Sequence, residues 1–413
     1  MLHRVAGDLH IEQVPLQEIA AQYGTPTYVY SESAIRHAYK EFERCFTRQS
    51  HAICYAVKAN SNIAILQILV ELGAGFDIVS GGELKRVLAA GGSAETIIFS
   101  GVGKQDWEIQ LALEANIRCF NIESASELRR VSRIAKSCDK VAPISIRVNP
   151  DVDPKTHPYI STGLKQNKFG VSDESARTLY RKAANDPHLV ITGIDCHIGS
   201  QITDIEPYIE ALNRLLKLVH ALESEGISIK HIDLGGGFGI RYHEEEPINF
   251  PDFANAIRQA MKGTTQQIIF EPGRMIVANA GLLLTRVNTL KQIDSKRFAV
   301  VDAAMNDLIR PSLYDAWQDV TCVSTKDKTS YRLDIVGPIC ETGDFLAKDR
   351  ELAVEEEDLL AILSAGAYGF TMSSNYNSRS RAPEILVKNN EHFIIRRRET
   401  IEDQLALESL INR

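Results

Sequence analysis

At 413 residues, with 44% hydrophobic and 24% charged residues, the chain is too long for one ordinary core and suits a soluble protein of two domains. Its 46 Lys and Arg against 54 Asp and Glu leave a net charge of −8, which argues against nucleic acid as a main partner; the one basic run, Arg396 to Arg398, abuts Glu399. Seven scattered cysteines without a CxxC pair indicate neither a disulfide framework nor a metal site, and with no signal-like start and no run of 18 apolar residues the expectation is a cytoplasmic protein that does not span a membrane.

Residues 1–25 hold short apolar runs such as 9–11 and are expected to pack on a second domain. From about residue 51 to 271 the chain repeats an apolar β-branched or aromatic run, a turn and a segment of helical spacing. Eight such runs occur, at 53–57, 76–79, 96–99, 119–122, 144–148, 191–196, 231–234 and 267–270. Helices are expected between them, for example over 62–72, 82–90, 106–115, 124–135 and 207–222. This alternation predicts an α/β fold, a (β/α)8 TIM-type barrel over residues 26–280. Beyond it the pattern is mostly β, with runs at 282–287, 298–302, 331–336 and 359–363 and a hairpin over 384–396 turning at Asn389 and Asn390. The expectation is a second, mostly β domain over 281–413, joined by residues 1–25.

Barrels of this kind carry their working residues just beyond the C-terminal ends of the strands. Strand one runs into Lys58, strand six into His197-Ile-Gly-Ser200, strand seven into Gly235-Gly-Gly237-Phe-Gly239, and strand eight into Glu271-Pro-Gly273-Arg274. A lysine closing an apolar strand either extends to the rim or is desolvated toward the neutral amine that forms a Schiff base. The glycines either make a tight turn or let backbone N–H groups approach a phosphate, with Ser200 as a further donor. Glu271 either pairs internally with Arg274 or faces a cation such as a pyridinium nitrogen. His197 either stacks on such a ring or is a satisfied structural histidine.

With these residues in place the chain resembles the barrel-type pyridoxal 5'-phosphate (PLP) enzymes that include alanine racemase and the ornithine, arginine and diaminopimelate decarboxylases. Within that set it is most similar to the diaminopimelate decarboxylase family. The resemblance runs through Tyr23-Gly-Thr-Pro-Thr-Tyr-Val-Tyr30, Gly73-Ala-Gly-Phe-Asp77-Ile-Val-Ser80-Gly-Gly-Glu83-Leu, Arg147-Val-Asn-Pro-Asp151, Thr156-His-Pro-Tyr-Ile-Ser-Thr-Gly163 and Lys168-Phe-Gly170. It implies that Lys58 carries the cofactor as an imine, that Ser200, Gly237, Gly273 and Arg274 hold phosphate or substrate, that Glu271 faces the pyridine nitrogen and that His197 faces the ring.

The resemblance also assigns roles beyond the barrel. Arg310 and Tyr314 match substrate-carboxylate binders, Tyr368 a tyrosine touching cofactor and substrate, and Cys340 and Glu341 a proton donor and a contact to the distal amino group contributed across a homodimer interface. The activity implied is decarboxylation of meso-diaminopimelate to L-lysine. Two alternatives stay open: a related PLP decarboxylase of basic amino acids or racemase of the same fold, and a non-catalytic PLP-binding protein. An ornithine-type enzyme would want an acid where Arg310 and Tyr314 stand.

Overall fold

Continuous apolar runs, buried on both faces, form the strands of the barrel: His51–Ala56, Gly75–Ile78, Ile97–Phe99, Cys119–Ile122, Ala142–Arg147, Leu189–Asp195, His231–Asp233 and Gln267–Phe270. All pair in parallel, and Ile268 lies opposite His51, so strand eight closes on strand one. The computed structural model describes residues 1–153, 168–325 and 329–411, and the stretch Thr156 to Gly163 lies outside them.

Local chemistry explains why helices begin where these strands end. After strand two, Ser80 accepts the Glu83 N–H while the Glu83 carboxylate accepts the Val79 N–H. Ser124 and Glu127 repeat the device after strand four. Such reciprocal caps satisfy backbone donors that a strand-to-helix turn leaves without partners. Behind strands seven and eight, the rings of Phe42, Phe46, Tyr208, Phe238, Phe253 and Phe270 pack with centroid separations of 4.5–6.2 Å. Phe238 belongs to the glycine loop, and the Tyr208 hydroxyl donates to the Gly236 carbonyl at 2.9 Å, so this aromatic layer fixes the loop from behind.

Chain contacts divide the molecule into Ala38–Arg241 with Glu245–Met275, which holds the barrel, and Met1–His37 with Tyr242–Glu244 and Ile276–Arg413. In the second unit a sheet runs in the order Phe345–Leu352, Tyr331–Val336, Lys296–Val301, Gly281–Ile293, Thr27–Ser31, Glu384–Lys388, Glu391–Arg396, with Val320–Cys322 and Leu359–Ile362 paired alongside. Residues 26–37, expected with the barrel, fall here because Thr27–Ser31 hydrogen-bonds between Gly281–Ile293 and Glu384–Lys388. Leu9, Ile11 and Val14 share a core with Val29, Leu282, Leu284 and Ile385. The hairpin turns at Asn389, whose φ of 56° suits an asparagine. Among the described residues no helix is long and apolar enough to cross a membrane.

Candidate active site

The barrel brings Lys58, His197, Ser200, Gly237, Glu271, Gly273 and Arg274 to its C-terminal end, each one to five residues beyond a strand. Lys58 sits in the short turn Val57–Ala59, half-buried, with its ammonium 2.7 Å from the fully buried Asp77 carboxylate at the end of strand two. The amine is held at the mouth by a counter-charge rather than left to extend into solvent.

The glycines are required by contact. A Cβ on Gly235 would lie 2.5 Å from His197 Nδ1, one on Gly236 1.9 Å from the Glu271 carbonyl oxygen, and one on Gly237 2.1 Å from the Gly199 carbonyl oxygen. Gly237 also has a φ of +91°. The loops after strands six, seven and eight are therefore stitched together at backbone distance, with the Gly237 carbonyl accepting the Ile202 N–H at 2.9 Å and the Gly235 carbonyl accepting the Glu271 N–H at 2.7 Å. A Cβ on Gly273 would press on Ala56 and Ala59, so its lack of a side chain keeps strand eight against the lysine turn. Arg274 donates to Ser200 Oγ at 2.9 Å, linking two of the loops.

His197 Nδ1 accepts the Gly236 N–H at 3.1 Å, and burial, with Arg147 and Lys58 nearby, pushes its pKa well below the usual histidine range. It is a neutral ring fixed against the glycine loop. Glu271 is 5% exposed, and its Oε1 has no hydrogen-bond partner among the described atoms. Burial, then the neighbouring carboxyls of Asp233, Asp77 and Asp195, push its pKa well above the usual carboxylate range. Oxygens of Glu271, Asp233 and Asp195 lie within 4.8 Å of one another. Arg147 answers this charge from one side, 3.1 Å from Glu123 and 3.9 Å from Asp195.

Sequence pattern assigns no role to Asp77, Asp195 or Asp233, although each ends or nearly ends a barrel strand, the position that singles out Lys58 and Glu271. Arg147 stands in a matching stretch, also without one.

The remaining predicted residues belong to the second unit. Arg310 and Tyr314 open and close one helical turn, Arg310–Tyr314, with the Arg310 guanidinium buried and stacked 4.4 Å over the Tyr242 ring. Cys340 is exposed, and its thiol donates to Asn377 Oδ1 at 3.3 Å; Glu341 accepts from the Tyr376 hydroxyl. Tyr368 is half-buried with a φ of 54° in the turn after Leu359–Ile362.

Comparison with known proteins shows the family. Residues 32–278 match the model of the pyridoxal-dependent decarboxylase, pyridoxal binding domain. The chain is 56% identical to a diaminopimelate decarboxylase of Pseudomonas aeruginosa over 98% of this chain and 97% of that one. It belongs to the diaminopimelate decarboxylase family of pyridoxal-dependent decarboxylases. A second relative in that family, from Neisseria meningitidis serogroup B, is 55% identical over 97% of each chain. The solved diaminopimelate decarboxylase of Helicobacter pylori, complexed with L-lysine, superposes with a TM-score of 0.92 at 43% identity, covering 95% of this chain and 98% of that one.

Proposed function

We propose that the chain removes one α-carboxylate from meso-diaminopimelate to give L-lysine and carbon dioxide, the last step of lysine biosynthesis, using pyridoxal 5'-phosphate. The near end-to-end identity with diaminopimelate decarboxylases carries this reading. The barrel mouth fits the cofactor. Glu271 offers a buried carboxyl to the ring nitrogen, the glycine loop with Ser200 and Arg274 offers donors to the phosphate, His197 offers a neutral face, and Lys58 offers the amine. When bound, the cofactor accepts the electron pair left by the departing carboxylate.

In this reading Asp77 holds the Lys58 ammonium in place before the amine is needed, and His197 fixes the ring plane without adding charge. The fork of Arg310, with Tyr314, grips the second carboxylate, which distinguishes diaminopimelate from ornithine, arginine or lysine. Tyr368 contacts cofactor and substrate. A homodimer in the cytoplasm completes the reading, a second copy supplying Cys340 as proton donor and Glu341 for the distal amino group, with the barrel unit binding the cofactor and the β-rich unit completing the substrate site.

The test is carbon dioxide release from meso-diaminopimelate, ornithine, arginine and lysine by the purified protein. Release from meso-diaminopimelate alone is expected. Turnover of ornithine or lysine without meso-diaminopimelate would replace the reading with a decarboxylase of basic amino acids, and no turnover of any would leave a binding protein.

A further inference from the structure

Five buried carboxyl groups meet at the floor of the barrel mouth: Asp77 from strand two, Glu123 after strand four, Asp195 from strand six, Asp233 from strand seven and Glu271 after strand eight. Among the described residues the cations facing them are Lys58 on Asp77 and, at longer range, on Glu271, and Arg147 between Glu123 and Asp195, with Arg118 acting on Asp233 from the opposite end of the barrel. The neighbouring histidines, His197 and His231, are both held neutral by burial, and Cys54 and Cys196 are buried thiols pushed toward their protonated form. Ionising every carboxyl here would place an uncompensated negative charge in a dry site, which buried groups avoid by keeping a proton.

The geometry says where that proton resides. Asp195 has the Arg147 guanidinium beside it, Glu123 has the same guanidinium at 3.1 Å, and Asp77 has Lys58 at 2.7 Å. Asp233 and Glu271 have no cation at such a distance: their carboxyl oxygens lie within 4.8 Å of each other, and one oxygen of each, Asp233 Oδ2 and Glu271 Oε1, is buried without a partner among the described atoms, as are Asp77 Oδ1 and Asp195 Oδ1. Two carboxyls side by side bond only when one is protonated.

We propose that Asp233 and Glu271 act as one carboxyl pair holding a single proton for the cofactor's ring nitrogen, with Asp233 as the positioning residue that keeps this proton on Glu271. This rests on the reading that Glu271 faces that nitrogen. With the cofactor bound, Glu271 would hold the ring nitrogen and supply its own carboxyl proton to it, passing from carboxyl to carboxylate, so that no proton would be drawn from solvent. Asp233 keeps its own anchor throughout, accepting the Gly235 N–H at 2.8 Å. The isosteric substitution Asp233→Asn retains an amide oxygen that can accept the same bond, so it removes the charge and leaves the anchor.

The experiment uses 4-deoxypyridoxine 5'-phosphate, which keeps the ring nitrogen and phosphate but forms no imine with Lys58. Its binding to cofactor-stripped enzyme is measured calorimetrically in buffers of different ionisation enthalpy, at pH values above the titration of the free ring nitrogen. The wild type is expected to bind with close to no proton uptake and an affinity nearly independent of pH. Asp233→Asn should take up about one proton, its dissociation constant rising about tenfold per pH unit. Uptake of about one proton by the wild type overturns the pair, and needs no variant to fold. Identical proton counts in wild type and Asp233→Asn overturn it too, while unchanged affinity in Glu271→Gln at every pH overturns the reading beneath it, that Glu271 meets the ring.

Discussion

Gly237→Ala isolates what the stitched loops require. The added methyl would sit 2.1 Å from the Gly199 carbonyl oxygen, and that backbone has no room to retreat, because the Gly237 carbonyl already holds the Ile202 N–H at 2.9 Å. Overpacking of this kind costs about 1–3 kcal/mol. The φ of +91° adds about 1–2 kcal/mol for any residue with a Cβ. Together the loss is about 2–5 kcal/mol of apparent barrel stability. Gly226 supplies the control: its φ is +82°, but a Cβ there meets nothing within 4 Å, so Gly226→Ala carries the backbone penalty alone, about 1–2 kcal/mol. Urea denaturation of the two variants without cofactor, followed by circular dichroism, compares them directly. Gly237→Ala should also weaken cofactor binding, because relieving the clash spreads the loops that would hold the phosphate. Equal losses for the two variants, within about 0.5 kcal/mol, would refute the argument that contact rather than conformation demands glycine at 237.

Lys58→Ala should abolish turnover and the visible absorption of the bound cofactor, as followed by carbon dioxide release and spectrophotometry. Cys340→Ala should lower turnover while leaving cofactor bound, which the same two measurements separate; a fully active obligate monomer would contradict a site completed by a second copy. Arg310→Met should raise KM for meso-diaminopimelate roughly 10- to 100-fold, the worth of a charge-assisted hydrogen bond of about 1.5–3 kcal/mol, seen in steady-state kinetics. Burial lowers the His231 pKa from its usual value to about 3. A lowered folded-state pKa contributes stability above the unfolded value, about 6.5, and loses it as pH falls toward the folded one. Between about pH 6.5 and 4.5 the wild type should therefore lose roughly 2 kcal/mol that His231→Gln does not, read from urea midpoints across pH.

The barrel was legible because parallel strands covered on both faces read as unbroken apolar runs, and their spacing alone orders the fold. The expected run 119–122 coincides with Cys119–Ile122, and 267–270 with Gln267–Phe270. The second unit was less legible. Phe345–Leu352 carries Lys348, Asp349, Arg350 and Glu351 because it lies at the sheet edge, so its apolar alternation is broken by charge. Val320–Cys322 is too short to show a period, and Thr27–Ser31 is separated from its sheet partners by the whole barrel. At the site, Lys58 and Glu271 stood out as charges just past apolar strands. Asp233 did not, since an aspartate closing a short strand reads equally as a turn residue. Its importance lies in the distance to Glu271, a contact between two strands that no local pattern records.

Charge at the two levels of the barrel mouth narrows the ligand further. The floor is dominated by carboxyls, Asp77, Asp195, Asp233 and Glu271, whereas the loops above carry the Arg274 guanidinium and the glycine-loop backbone. A ligand that is only an anion would suit Arg274 but meet repulsion from any carboxylate below it. A ligand that carries an anionic group and presents a basic nitrogen suits both levels, and the neutral His197 ring adds charge to neither. The proton held by Asp233 and Glu271 fits this arrangement, because it lowers the negative charge of the floor until there is a nitrogen to receive it.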